Sequence, residues 1–425
     1  MKKLFKGKYL LTDYLNKLFN DFSVLVEDKK IVKVGKTDEL KKEADEINDL
    51  GNVVIAPSFA DTHAHVGMVA LRGIGESKAL YDWLQEVWQI ESKLNYEFLY
   101  YADVLGLGEL INSGVTAVLD FYDIQPMVRA VKEIGLPIKV KLGLAFMDKV
   151  PYMEEESWKR LKNIKNISSN LKSEGFEVFI SPHSLYAVSE ELLKQLFSLE
   201  GFKYQIHFAE NKEEIEEIKK VYNNDDPIQI LERLDALDKW LILAHAVHLD
   251  PARLNKLARG NIFVSHCPFS NSRLGSGIAK INAMKNKGIQ ITIGTDGPGS
   301  SETLNIFNEI RLATLLSRAS TTSLGISVKD AMQMASLNGN RALGVSSGTI
   351  KPGYNADFIT FDLSKIYPSW DMISALGYQG NPEIIKDVIS DGVYLKKDGK
   401  LVFDDLYKQS LIKVEEFISN RGEQS

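Results

Sequence analysis

Cysteine is almost absent from the 425-residue chain: Cys267 is the only one. No disulfide can form within it, and a zinc site built from several thiolates is excluded. That usage suits a reducing compartment, so the expected location is the cytoplasm. Long apolar runs are also missing. The basic start MKKLFKGKYLLTDYL is broken by Lys6, Lys8, Asp13 and Lys17 before a signal-like apolar segment can form. Nothing later approaches the roughly 18 apolar residues that a membrane helix needs, so neither secretion nor membrane insertion is expected. A surplus of positive charge is lacking too, because 51 Lys+Arg stand against 57 Asp+Glu, a formal −6. Such a balance gives no general attraction to phosphate backbones or anionic lipid. Phosphate loops of GxxxxGK[ST] or GxGxxG spacing do not occur. What remains is an ordinary globular composition, 44% hydrophobic and 25% charged. Its length permits a large core, and the expected partner is a small molecule rather than nucleic acid or membrane.

From about residue 53, short β-rich runs alternate with longer amphipathic segments, the signature of repeated βα units around a parallel sheet. Eight runs can be read, at 53–65, 115–121, 137–145, 176–184, 204–210, 241–249, 262–269 and 289–297. After the last, LNIFNEIRLATLL sets Leu304, Phe307 and Ile310 near one face at helical spacing. The predicted architecture is therefore a closed (β/α)₈ barrel. Both chain ends read differently, with a hairpin in FSVLVEDKKIVKVG, hairpin-like patterns in 351–363 and 387–403, and a terminal helix near 405–419. The expected division is a β domain assembled from residues 1–56 and 351–425, forming a small composite sandwich beside a barrel of residues 57–350.

All seven histidines (His63, His65, His183, His207, His245, His248 and His266) fall in or at the end of these strand runs. In a barrel, strand C-terminal ends converge on the face where active sites occur. His63 and His65 are two apart, so both rings point to one side of a strand and can share a metal. His207 and Asp296 end two other strands. Three neutral imidazoles and one carboxylate leave a divalent cation a net positive charge and an open position, a catalytic arrangement rather than a closed structural one. The bland alternative for Asp296 is a turn residue in TDGPG. Zinc is the first expectation, with iron or manganese as alternatives. A cation so held can make water a nucleophile near neutral pH. Glu210, three residues after His207, is the candidate to carry that water's proton to the substrate; its competing reading is a carboxylate at a helix N-terminus. His245 is the candidate to orient the water, His248 reads as structural and His266 as wall or support. GVSSG at 344–348 matches GxSxG but lacks the strand-turn-helix setting of a nucleophile elbow.

The order HxH, HxxE, His, Asp on successive strands resembles the amidohydrolase superfamily in its mononuclear-metal branch. The segments PSFADTHAHVGMVALRG, SPHSLYAVS, IHFAEN, AHAVHL, VSHCPFSNSRLGSG, GTDGPGSSETLNIFNEIRLA and KPGYNADFITFDL are similar to those of the subgroup holding methylthioadenosine/S-adenosylhomocysteine deaminases and triazine chlorohydrolases. The resemblance implies His63, His65, His207 and Asp296 as metal ligands, with Glu210, His245 and Asp296 in the catalytic set. It implies a single metal, because SPHS ends the fourth strand where dinuclear relatives carry a carboxylated lysine. It also implies substrate contacts from His183 and from Glu91 in YDWLQEVWQIE, with Trp83 and Trp88 as walls. At the end of the third strand, Leu142 stands where relatives that accept S-adenosylhomocysteine have an arginine. Lys139 or Lys141 is the available substitute, and a substrate without an amino-acid tail is expected. The expected activity is metal-dependent release of ammonia from an aminopurine nucleoside of the adenosine or methylthioadenosine type. Alternatives are a triazine chlorohydrolase or aminohydrolase, or a guanine or cytosine deaminase, with Ser270, Asn271 and Ser300 near the expected mouth to tune the leaving group and Ser300 as a substrate contact. An inactive scaffold is a third reading, and homo-oligomer formation is compatible with all of them.

Overall fold

The eight β-rich runs become eight strands of one parallel sheet in the computed structural model, which describes residues 1–321 and 324–422. They are Phe59–Ala64, Val115–Asp120, Lys139–Phe146, Glu177–Pro182, Lys203–Phe208, Trp240–His245, Ile262–His266 and Gln290–Ile293, each pairing with its neighbour in chain order. Several, such as Val115–Asp120 and Ile262–His266, are buried at every position. That is the pattern of strands covered on both faces, and it explains their unbroken apolar runs. The last strand meets the first through a parallel bridge between Ala64 and Asp296. There the Asp296 amide donates to the His63 carbonyl at 2.9 Å. Two candidate site residues thus help to close the barrel. Ala60, Ala117, Leu119, Phe179, Ile242 and Phe263 form one apolar cluster. Leu142, expected at the end of the third strand, is the fourth of the eight residues of Lys139–Phe146 and packs in the large cluster that includes helix residues such as Ile164 and Leu171.

The run read as one strand over 53–65 is split at Ser58. Val53–Pro57 belongs to a seven-stranded sheet drawn from both chain ends, and only Phe59–Ala64 enters the barrel. Within the end sheet, Val53–Pro57 pairs with Phe358–Asp362, joining residues some three hundred apart in the chain. Residues 351–363 therefore supply a single strand rather than a hairpin. The Asp-Gly pairs do make tight turns: Asp391 and Gly392 have φ of 51° and 73°, and Asp398 and Gly399 have 48° and 83°. Positive φ at both central residues matches the twist of a two-residue hairpin. A second, four-stranded sheet comes from the first fifty residues and includes the expected hairpin Phe22–Glu27 with Lys30–Lys36. Phe5, Val24, Ile55, Phe358 and Ile389 share one core between the two sheets.

Lys139 fastens barrel to end sheet. Its ammonium lies 2.9 Å from Asp357 and from Asp391 and donates to Ser390 Oγ at 2.7 Å. Lys141 pairs with Glu177 at 2.7 Å. Both lysines belong to the opening half of their strand, far from its mouth end, so neither stands in for the missing arginine. The terminal helix Asp404–Gly422 packs on helix Tyr96–Asn112. Gly108 permits that approach, since a Cβ there would lie 2.3 Å from the Tyr407 ring. No described helix is long and apolar enough to cross a membrane.

Candidate active site

The mouth of the barrel is made where strands break from their pleat. Ala209, His245, Ala246 and Asp296 have φ of 52°, 71°, 50° and 61°, in the left-handed region that L side chains rarely occupy. Such conformations persist only where neighbours over-determine them. Here the amides of Val247 and His248 both donate to the Ala209 carbonyl, at 3.0 and 2.9 Å. Glu210, His245 and Asp296 all line one cavity of about 940 Å³ at this face.

His63, His65, His207 and Asp296 converge there, each offering a ligand atom within 4.8 Å of the others. The hydrogen bonds behind the rings decide which nitrogen faces inward. His65 Nδ1 lies 2.7 Å from the Phe121 carbonyl and His207 Nδ1 2.8 Å from the His183 carbonyl. A carbonyl oxygen only accepts, so both Nδ1 atoms carry the proton and both Nε2 atoms present lone pairs. Those two Nε2 atoms are 3.3 Å apart. His63 Nδ1 is 3.3 Å from Gln205 Oε1, and its buried Nε2 has no hydrogen-bond partner. Asp296 Oδ1 completes the ring, 3.5 Å from His63 Nε2 and 3.2 Å from His65 Nε2.

Lone pairs turned on one another around a carboxylate call for a positive charge between them. Burial lowers His63 to about 4 and drives His207 well below its ordinary value, which keeps these imidazoles neutral and able to donate electron pairs. For His65 burial acts the same way, but Asp296 beside it prevails and raises it. Burial pushes Asp296 up, yet the His63 and His65 rings outweigh that and hold its carboxyl well below the usual range. An ionised carboxylate with three nitrogen donors, each steered from behind, fits a divalent cation and suits zinc.

Glu210 stands beside this cluster, with Oε2 3.7 Å from His245 Nε2. Burial, with Asp296 adding to it, pushes its carboxyl up to about 8. Sequence reasoning missed what holds it. Glu214, on helix Lys212–Val221, accepts the backbone amides of Glu210 at 2.6 Å and Ala209 at 3.2 Å. The helix N-cap is Asn211, so Glu210 is not spent as a helix cap. Nothing but a buried position on an acidic helix face singles out Glu214, and EEIEEIKK shows no such position by pattern. His245 Nδ1 lies 2.9 Å from Asn271 Oδ1, which leaves its Nε2 toward Glu210. His248 donates to the Ser276 carbonyl at 2.6 Å, and the Ser276 hydroxyl reaches Glu210 Oε1 at 3.4 Å.

Glu91, Trp88 and His183 line the same cavity, as do Phe121, Tyr122 and Tyr186. Trp83 also lines it, with its indole N–H donating to the Gly299 carbonyl at 3.1 Å. Tyr122, which no sequence signal marked, donates to Glu91 Oε1 at 2.6 Å. Ser270, Asn271 and Ser300 sit behind the site instead of at its mouth. Both serines donate to Asp296 Oδ2 and Asn271 holds His245. One guanidinium, that of Arg160, reaches the cavity wall from helix Pro151–Ser173. It is occupied by Glu156 at 2.9 Å and the Ala145 carbonyl at 2.9 Å. His266 is buried, and among the lining residues it has no place.

Residues 54–395 match the amidohydrolase family. The 5-methylthioadenosine/S-adenosylhomocysteine deaminase of Thermococcus sibiricus is 34% identical over 377 residues, 87% of this chain and 88% of that protein. The 5'-deoxyadenosine deaminase of Methanocaldococcus jannaschii is 33% identical over 394 residues, 90% of this chain and 92% of that protein. Among solved structures, an adenosine deaminase from Xanthomonas campestris with bound zinc superposes with a TM-score of 0.88 at 23% identity, covering 98% of each chain.

Proposed function

The chain belongs to the amidohydrolase family, and on that premise we propose that it is a zinc-dependent aminohydrolase releasing ammonia from adenosine-type nucleosides. The observation that carries the reading is the inward set of Nε2 lone pairs around Asp296 Oδ1, with a buried carboxyl, Glu210, at its edge. When bound, the cation supplies Lewis acidity that makes water nucleophilic near neutral pH.

The protein's own groups do the rest. His63, His65, His207 and Asp296 would hold the ion. Glu210 carries a proton to the ring nitrogen beside the amino-bearing carbon, which then accepts water's oxygen and becomes tetrahedral. The proton left on the added hydroxyl then passes through Glu210 to the amino group, the C–N bond breaks to release ammonia, and the carbon becomes a carbonyl. His245, with Nδ1 engaged by Asn271, keeps its Nε2 facing the reacting atoms. His183 and Trp88 contact the substrate from the cavity wall, and Glu91 accepts from its ribose hydroxyls.

Tyr122 occupies one oxygen of Glu91 and leaves the other for the sugar. Burial raises the Glu91 carboxyl and the Tyr122 phenol opposes it. Tyr122→Phe is therefore expected to raise KM for a nucleoside about 3- to 10-fold through loss of one hydrogen bond, with kcat nearly unchanged. Steady-state rates on the nucleoside and its 2′,3′-dideoxy analogue check this, and an equal effect on both contradicts it.

Among the described residues one arginine, Arg160, reaches the cavity wall, and it is paired with Glu156. An uncharged 5′ group is accordingly favoured over an amino-acid tail. The lone cysteine suits a cytoplasmic enzyme. Ammonia release by zinc-loaded protein should be measured on adenosine, methylthioadenosine, 5′-deoxyadenosine, S-adenosylhomocysteine, guanine, cytosine and aminotriazines. Release from the uncharged adenosine nucleosides, abolished by chelation and restored by zinc, is the expected result. A metal-replete protein inactive on the whole panel contradicts the reading.

A further inference from the structure

The two oxygens of Asp296 have separate partners. Oδ1 faces His63 Nε2 at 3.5 Å and His65 Nε2 at 3.2 Å. Oδ2 receives the hydroxyl of Ser270 at 2.5 Å and that of Ser300 at 2.8 Å; the two hydroxyls lie 3.0 Å apart, and that of Ser300 is also 3.0 Å from the Gly297 carbonyl, the longer of its two contacts as donor. Both serines are fully enclosed, at 0% and 1% exposure. They come from two different loops, on the short helices Pro268–Arg273 and Pro298–Ser301 that follow the seventh and eighth strands. Ser272 shows what a helical serine ordinarily does, donating to the Pro268 carbonyl one turn back at 2.7 Å. Ser270 reaches across to the aspartate instead.

We propose that Ser270 and Ser300 are positioning residues that lock Asp296 so that it offers the cation Oδ1 alone. A carboxylate oxygen has two lone-pair sites, and two donors fill those of Oδ2. Released from them, the carboxylate can turn off the line that Oδ1 keeps toward His63 and His65, so that the ion is held less tightly and a further oxygen can enter its coordination. The pair thus sets ion affinity and coordination number together. This inference rests on the cation-centre reading given above.

The test uses zinc affinity, by competition with a chelating indicator, and the visible absorption of the cobalt(II)-loaded protein, whose bands weaken as coordination number rises. The double variant Ser270→Ala/Ser300→Ala is expected to bind zinc about 10- to 100-fold more weakly, the scale seen when second-layer partners are removed, and to show weakened cobalt bands. Ser300→Thr, which retains the hydroxyl, should stay near wild type. An affinity within twofold of wild type, or an unchanged cobalt spectrum, overturns the proposal. If the double variant fails to fold, Ser300→Ala against Ser300→Thr reads the same difference, and equal affinities overturn it. A wild-type protein that takes up neither ion overturns the cation-centre reading as well, whereas normal uptake with indifferent variants removes only this inference.

Discussion

Glu210→Gln is expected to lower kcat for ammonia release by about 10³-fold, within the range usual for loss of a positioned general acid–base group, while zinc stoichiometry stays at the wild-type value. Such a loss corresponds to about 4 kcal/mol of barrier height. The reasoning is geometric before it is electrostatic. Glu210 lines the cavity next to the ligand set, yet it is outside the group of side chains whose donor atoms converge. The glutamine keeps the shape and still accepts from the Ser276 hydroxyl, but it cannot take up and return a proton. Burial sets the carboxyl at about 8, so it can both gain and lose a proton near neutral pH, which is what a shuttle requires. Turnover and elemental analysis on the same preparation check it. Near-normal turnover contradicts the shuttle role; loss of zinc together with turnover moves Glu210 into the ligand set.

His207→Ala should remove ion and activity together. His207 donates through Nδ1 to the His183 carbonyl and directs Nε2 at the cluster, so truncation deletes one of the four converging donor atoms. Zinc is expected to fall from about one ion per chain to a small fraction after dialysis, because a mononuclear catalytic site has few protein ligands to spare. Thermal stability gives an independent readout. A ligand that binds only the folded state adds about 4 kcal/mol at 1,000 times its Kd, so zinc should raise the melting temperature of the wild type and leave that of the variant in place. A variant that keeps its full zinc content excludes His207 as a ligand.

The candidate site residues were legible because they announce themselves at strand ends. THAH, HFAE, AHAVH and TDG each close an apolar run, and a barrel brings such ends to one face. The supporting residues were not. The Phe121 and His183 carbonyls that fix the ring tautomers belong to the backbone and have no residue signature. Ser270 and Ser300 look like loop hydroxyls in sequence, and only the meeting of two loops turns them onto Asp296. Tyr122 and Glu214 are an ordinary aromatic and an ordinary helix acid until their partners are known. In the fold, the eight-fold alternation was plain, whereas the break at Ser58 lies inside an apolar stretch, and strand-pairing partners alone separate Val53–Pro57 from Phe59–Ala64. Lys139 shows a related limit. Its distance from the mouth follows from its place along the strand, but its engagement by Asp357 and Asp391 depends on the return of the far chain end.

The most direct measurement is anomalous diffraction at the zinc absorption edge, on crystals of the zinc-loaded protein. The account predicts one peak, enclosed by Nε2 of His63, His65 and His207 and by Oδ1 of Asp296. A zinc-replete crystal with no peak among those four side chains, or with its peak elsewhere, contradicts it.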